Sequence, residues 1–244
     1  MERVNNGPKI SIITVVFNGE RTIEKTIQSV LSQGYSNIEY IIIDGSSTDK
    51  TMEIVSKYKD RVAKVISEPD KGIYDAINKG IKTSTGDLIG IINSDDWYED
   101  EALETIVENY DPNIDIYHGY LRVVKDGKEY SVYRNSENFL DEKMISHPTC
   151  FISRDMYEKL GNYSLKYNYS SDFELMLRAK NTCAKFKSID AILANFSLGG
   201  VSGEPKAVLE TIRIRRDFGL PYKTHTKFIA YLAVLISKIK KLTK

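Results

Sequence analysis

Apolar residues in the first hundred positions gather into short unbroken runs, and the stretches between them are amphipathic. Residues 9–17, KISIITVVF, form one run and stop at Asn18-Gly19. Residues 38–43, IEYIII, stop at Asp44-Gly45, a shorter run covers 62–66, and residues 87–92, DLIGII, stop at Asn93-Ser94-Asp95-Asp96. Such runs, rich in β-branched residues and bounded by turn residues, predict strands. They lack period-two alternation, which predicts burial on both faces. Over 20–33, Ile23, Ile27, Val30 and Leu31 recur at helical spacing. A second helix is expected to about Tyr58, with Thr48 or Asp49 as its cap, and a third over 72–83. Later residues predict a hairpin over 121–133 around Lys125-Asp126-Gly127-Lys128, a strand at 148–153 and another within 185–197. Helices are expected at 154–160, 171–181 and 206–218.

Strand and helix alternating in this order predict βαβ units: an α/β fold on a Rossmann-like mixed, mostly parallel sheet flanked by helices. In such sheets ligands sit beyond the carboxyl ends of the strands. Three polar clusters fall there: Phe17-Asn18-Gly19, Asp44 to Asp49, and Asn93 to Asp96.

Composition narrows the class. Hydrophobic residues are 41% and charged residues 28%, which fits a folded globular chain and excludes disorder, collagen and coiled coil. Cys150 and Cys183 are too few for a disulfide scaffold, so a reduced cytoplasmic setting is expected. Met1–Pro8 lacks the apolar core of a signal peptide, and no run is long enough for a spanning helix. The balance of 34 basic against 34 acidic residues hides an asymmetry. After Asp217 come six lysines and no acid, so residues 1–217 carry −6 and the remainder +6.

The polar clusters suggest chemistry, each beside a plainer alternative. Adjacent carboxylates at Asp95 and Asp96 repel, and a divalent cation with phosphate oxygens would relieve that; a turn capping the next helix is the alternative. Asp44 to Asp49 combines small residues, which let a ligand approach the backbone, with a carboxylate able to accept hydrogen bonds from a base or ribose; a capped turn is the alternative. Lys71-Gly72 at a helix start would suit a phosphate. No GxxxxGK string followed by Ser or Thr is present.

The strings PKISIITVVFN, DGSSTDKT, EPDKGIYDAINKG and TGDLIGIINSDDW, in this order over about residues 8–97, resemble the donor half of family 2 glycosyltransferases of the GT-A fold. The segment HPTCFISRDMYEKLGNYSLKYNYSSDFELMLR, 147–178, extends the resemblance into an acceptor half. It implies a glycosyltransferase domain over 1–220, with the acceptor half at 98–220. It further implies a metal-dependent inverting transfer from a nucleoside-diphosphate sugar, UDP before GDP or dTDP, to a glycan hydroxyl. By the same resemblance Asp44 binds the base, Thr14 and Phe17 flank it, and Asp95 lies near the ribose. Asp96 holds Mn²⁺ or Mg²⁺, and Lys71 and Asn78 border the donor pocket. The base that inversion needs falls to Asp172, with Glu174 as rival. In Ser170-Ser171-Asp172, Ser171 replaces the acid that usually precedes the base. His147 matches a position lining the acceptor site. Trp97 offers a ring to an acceptor sugar, or packs. Gly200 and Ser202 belong to a loop that closes over the donor, or to a plain turn.

Residues 226–242 fit a helix with Phe228, Ile229, Leu232, Leu235, Ile236, Ile239 and Leu242 on an arc of about 140°. Lysines border it, so residues 221–244 are expected as a basic amphipathic tail resting peripherally on the inner face of the cytoplasmic membrane, or packing on the protein or a second copy. The expected partners are thus a nucleotide sugar, a lipid-linked glycan acceptor in surface-polysaccharide synthesis, a membrane surface and, left open, a homodimer; nucleic acid is not among them. Two rivals stand beside this: a non-catalytic nucleotide-sugar-binding assembly subunit, and a nucleotidyltransferase. The latter would want a Gly- and basic-rich phosphate loop after the first strand, where this chain has Asn18-Gly19-Glu20-Arg21.

Overall fold

In a computed structural model describing residues 7–199 and 205–222, the first predicted strand is β1 (Ile10–Val16), buried at every position. Its side chains alternate between two cores. Ile10, Ile12 and Val16 pack with Ile23, Ile27 and Val30 of α1 (Ile23–Leu31) and with Val55 of α2 (Thr51–Ser56). Ile13 and Val15 pack on the opposite face with Tyr74, Ile77 and Ile81 of α3 (Ile73–Thr83). Apolar side chains on both faces explain why the sequence shows a run rather than an alternation.

β1 lies between β2 (Ile38–Asp44) and β4 (Leu88–Asn93), parallel to both, and β3 (Lys64–Ser67) extends β2 in parallel. The sheet continues through β8 (Phe151–Ser153), antiparallel to β4, into β6 (Ile116–Lys125) and β9 (Phe186–Ser197), which run parallel to each other. β5 (Trp97–Tyr98) and β7 (Lys128–Tyr133) add antiparallel ladders to β9 and β6. The longest ladders are parallel, as expected. Asp126 (φ 51°) and Gly127 (φ 75°) both adopt the left-handed conformation that a tight hairpin turn between β6 and β7 requires.

The second face is completed by α5 (Arg154–Leu160) and α6 (Ser171–Asn181), through Met156, Tyr157, Leu175 and Met176. Ser153 caps α5 by accepting from the Met156 N–H at 3.2 Å. α7 (Pro205–Asp217) closes the described chain, with Ile214 packed on Tyr167, Phe173 and Leu177. α4 (Ala102–Glu108), β5 and the first half of β6 are additions that the apolar pattern did not announce. The second helix starts after Lys50, and Asp49 serves it by accepting from the Thr51 N–H at 3.0 Å. Gly200, Ser202 and tail residues 223–244 lie outside the described residues.

One polar knot is buried beneath the apolar strands. The Glu39 carboxylate accepts from the Ser11 hydroxyl at 2.7 Å, the Thr85 N–H at 2.6 Å and the Thr85 hydroxyl at 3.0 Å, tying β2 to β1 and to the turn before β4. Burial pushes its pKa up, but those hydrogen bonds and Lys9 outweigh it, and the net shift is downward. A lowered folded-state pKa gives stability that is present above the unfolded value and lost as pH falls through the folded one. Glu39→Gln is therefore expected to cost about 1–3 kcal/mol at pH 7 by urea denaturation. The gap to the parent protein should close in acid; an equal gap at pH 7 and pH 3 would refute this.

Candidate active site

The loops after β1 and β2 are stitched together. Asn18 N–H donates to the Ser47 hydroxyl (2.7 Å), Thr48 N–H to Asn18 Oδ1 (2.8 Å), and Gly19 N–H to the Thr51 hydroxyl (2.8 Å). Lys50 N–H donates to Glu20 (3.0 Å), and Glu20 N–H to Asp49 (3.1 Å). The polar residues of both motifs are largely used in building one rigid rim. Asp44 lies beneath it, fully buried: it accepts from the Ser67 hydroxyl at 2.6 Å and from Ser47 N–H at 3.1 Å. Gly45 passes close to the Asp70 carboxylate, so a Cβ there would push the Asp70 side chain aside.

The loop after β1 edges a cleft of about 820 Å³, and the β2 loop with Asp44 stands behind it, outside the lining. Phe17 and Asn18 line it from β1, Asp70 and Gly72 from the start of α3, and Asn93, Ser94 and Asp95 from the end of β4. His147, Tyr169 and Asp172 face it from the opposite side. Phe17 is 64% exposed, an apolar ring held open to solvent at the cleft mouth.

The two carboxylates after β4 diverge. Asp95 borders the cleft, and burial raises its pKa. Asp96 turns inward and is almost fully buried. Its Oδ1 accepts from the Ser197 N–H of β9 at 3.0 Å, while Oδ2 has no hydrogen-bond partner. Burial and then the charge of Asp95 push its pKa well above the ordinary carboxylate range. A buried, unpartnered carboxylate oxygen beside a second carboxylate fits a divalent cation. Among the described residues no group of three or more His, Cys, Asp and Glu converges. Such a cation would accordingly take most of its ligands from phosphate oxygens and water, as Mg²⁺ commonly does.

Asp172 stands in the first turn of α6, whose N-cap is Ser170. Its Oδ1 accepts from the Tyr74 hydroxyl (3.1 Å) and from Phe173 N–H (2.9 Å). Among the described residues Oδ2 has no partner, and Asp172 lines the cleft, so this carboxylate has one oxygen held and one free. Glu174 is different: both its oxygens accept from Arg178 Nε, at 2.9 and 3.0 Å, and it does not line the cleft. The loop before α6 is clasped from α7, where Glu210 accepts from the N–H groups of Asn168, Tyr169 and Ser170 at 2.7, 2.6 and 2.9 Å.

His147 Nε2 lies 2.8 Å from the Tyr163 hydroxyl, and the two rings meet edge to face. Burial lowers its pKa, partly opposed by Asp172, which favours the neutral imidazole near pH 7.

Other expected positions lie elsewhere. Thr14 is fully buried in the sheet with its hydroxyl 3.0 Å from the Tyr40 hydroxyl, and it does not reach the cleft. Asn78 does not border the cleft either: its amide donates to Tyr163 C=O and accepts from Tyr163 N–H, both at 2.9 Å, clamping the loop before α6 to α3. Lys71 is exposed and contributes a backbone N–H to Asp75 at 3.0 Å. Trp97 packs in β5 with the Lys25 ammonium over its ring, away from the cleft lining. Tyr74 and Tyr163 are the residues that sequence reasoning passed over. Tyr74 stood inside the quoted string, but its partner is 98 positions away. Asn78→Ala should cost about 1–3 kcal/mol, since it strands two backbone groups of the buried Tyr163. Faster amide exchange at Tyr163 would accompany the loss; unchanged exchange would contradict the clamp.

The family model described as "Glycosyl transferase family 2" matches residues 11–172. A Mycobacterium tuberculosis protein described as an uncharacterized glycosyltransferase is 31% identical over 230 residues, 90% of this chain and 87% of its own length. A PGL/p-HBAD biosynthesis glycosyltransferase of Mycobacterium bovis is 24% identical over 204 residues, covering 80% of this chain and 79% of the relative. Among solved structures, Staphylococcus aureus TarS 1–349 in complex with UDP-GlcNAc superposes with a TM-score of 0.70 at 18% identity, over 89% of this chain and 69% of that one. The mannosyltransferase PcManGT from Pyrobaculum calidifontis, in complex with GDP-Man and Mn²⁺, gives 0.68 at 16% identity, over 93% and 71%. These likenesses establish a GT-A fold.

Proposed function

Because the chain belongs to glycosyl transferase family 2, we propose that it moves a sugar, with inversion, from a nucleoside-diphosphate sugar to a hydroxyl of a glycan acceptor. The observation that carries this is the convergence of the loops after β1 and β4, the start of α3, and Asp172 on one cleft. Phe17 offers an apolar face to a nucleobase, and the buried Asp44 fixes the loop beside it. Asp95 borders the ribose side, and Asp96 would hold Mn²⁺ or Mg²⁺ with the diphosphate. The cation supplies charge stabilisation for the leaving diphosphate. Asp172 Oδ2 takes the proton of the acceptor hydroxyl as that oxygen attacks the anomeric carbon, and the bond to the diphosphate breaks with its electron pair on the departing oxygen. His147 borders the acceptor, with its Nε2 engaged by the Tyr163 hydroxyl.

UDP is the preferred nucleotide because TarS was solved with UDP-GlcNAc, while PcManGT, solved with GDP-Man, keeps GDP in the test. A lipid-linked acceptor is supported by the basic amphipathic pattern of the tail. Among the described residues no helix is long and apolar enough to cross a membrane. The nucleotidyltransferase rival is disfavoured by the loop after β1, whose Asn18 and Glu20 are bonded to the β2 loop instead of forming a basic phosphate cradle.

A thermal-shift screen of UDP-, GDP- and dTDP-sugars with and without Mn²⁺ tests the donor. Binding to the native state raises the melting temperature in proportion to affinity. A metal-dependent shift with one nucleotide class is expected; no shift with any nucleotide sugar would reject the reading.

A further inference from the structure

Tyr74 belongs to α3 in the donor half, yet its hydroxyl reaches across to Asp172 at 3.1 Å. The residue is buried to 7% exposure, and no other group fixes the Asp172 side chain from outside α6 among the described hydrogen bonds. Its ring is itself held. The Tyr163 ring stacks on it with centroids 5.6 Å apart and planes 17° from parallel. Tyr163 is fixed in turn by Asn78, one helical turn after Tyr74 on the same face of α3, through two 2.9 Å bonds to its backbone. The Tyr163 hydroxyl is occupied by His147 at 2.8 Å and Tyr157 at 3.2 Å. The Tyr74 phenol therefore points from a rigid stack at one oxygen of one carboxylate.

Resting on the base assignment proposed above, we propose that Tyr74 is a positioning residue for sugar transfer: its hydroxyl donates to Asp172 Oδ1 and so turns Oδ2 toward the acceptor hydroxyl. Burial and the neighbouring carboxylate hold the Tyr74 phenol well above its ordinary pKa, so it remains a hydrogen-bond donor at every working pH. The phenol proton is not transferred. The acceptor proton passes to Oδ2, the acceptor oxygen bonds to the anomeric carbon, and the diphosphate leaves with the electron pair. Because the same helix opens at Asp70 and Gly72 in the cleft, Tyr74 also joins the element that meets the donor to the group that activates the acceptor.

The test is a double-mutant cycle in the full-length protein. UDP-N-acetylglucosamine, UDP-glucose, UDP-galactose and GDP-mannose are supplied in turn with Mn²⁺, nucleoside-diphosphate release gives kcat, and calorimetry gives donor affinity. Tyr74→Phe keeps the stacked ring and should lower kcat roughly 10-fold, with donor Kd changed by less than about twofold, the cost of one hydrogen bond to a charged group. In an Asp172→Asn background the same change should have no further effect, because the phenol acts only through the carboxylate. A wild-type kcat for Tyr74→Phe, or an equal loss in both backgrounds, would overturn the proposal and mark Tyr74 as packing alone. Near-wild-type turnover of Asp172→Asn, or turnover of no donor by the parent protein, would instead overturn the base or glycosyltransferase reading, and Tyr74's role with it. Should Tyr74→Phe fail to fold, 3-fluorotyrosine at position 74 keeps ring and hydroxyl but strengthens the donor. It should change kcat at constant donor Kd, and an unchanged kcat would overturn the proposal.

Discussion

Asp172→Asn is expected to lower sugar transfer by about 10²- to 10⁴-fold, the usual contribution of a general base, while donor affinity stays within about threefold. The substitution is nearly isosteric. An asparagine Oδ1 can still accept from the Tyr74 hydroxyl and Phe173 N–H, so the local structure has every contact it had before. What it loses is an oxygen able to take a proton on the open side. The contrasting change is Glu174→Gln, in the same helical turn. Glu174 is committed to Arg178 and lies off the cleft lining, so its loss should lower the melting temperature and leave the transfer rate largely in place. Calorimetric donor affinity and single-turnover transfer, measured on both variants, separate the two roles. Near-wild-type turnover by Asp172→Asn would remove it as the base.

Asp96→Asn should have the second large effect, and in two directions. Transfer should fall by about 10³-fold, because several kcal/mol of charge stabilisation at the leaving diphosphate goes with the metal. Stability of the metal-free protein should instead rise. Asp96 is almost fully buried, one of its oxygens has no partner, and Asp95 is beside it. Its folded-state pKa lies above the unfolded one, so at neutral pH the charged form opposes folding. A neutral amide removes that opposition. Mn²⁺ should then raise the melting temperature of the parent protein and leave that of Asp96→Asn unmoved. A metal-free variant less stable than the parent and still responsive to Mn²⁺ would contradict the assignment.

The parts of this molecule that were legible in the sequence are those whose cause is local. β1, β2 and β4 showed themselves because helices cover both faces, which writes each strand as an apolar run. The β6–β7 hairpin showed itself because Asp126-Gly127 suits two left-handed residues in succession. α4 and β5 did not: α4 is seven residues long and β5 two, and β5 exists only because Trp97 and Tyr98 pair with Asn195 and Ala194. The same division runs through the site. Phe17, Asp95, His147 and Asp172 were found as motif residues and do line one cleft. Thr14 and Asn78 carried motif positions too, but their partners, Tyr40 and Tyr163, are set by the register of β1 on β2 and by a loop 85 residues away. Tyr74, Tyr163 and the three amides held by Glu210 depend wholly on such distant contacts, and nothing in their local sequence signals them.

The central claim, inverting transfer from a nucleotide sugar, has a direct test that needs no acceptor. Hydrolysis of an α-linked UDP-sugar by the protein with Mn²⁺ is followed by proton NMR at a rate faster than mutarotation. If Asp172 directs water to the face opposite the diphosphate, the β-anomer appears first, and Asp172→Asn suppresses it. First appearance of the α-anomer, or no cleavage of any nucleotide sugar that raises the melting temperature, would contradict it.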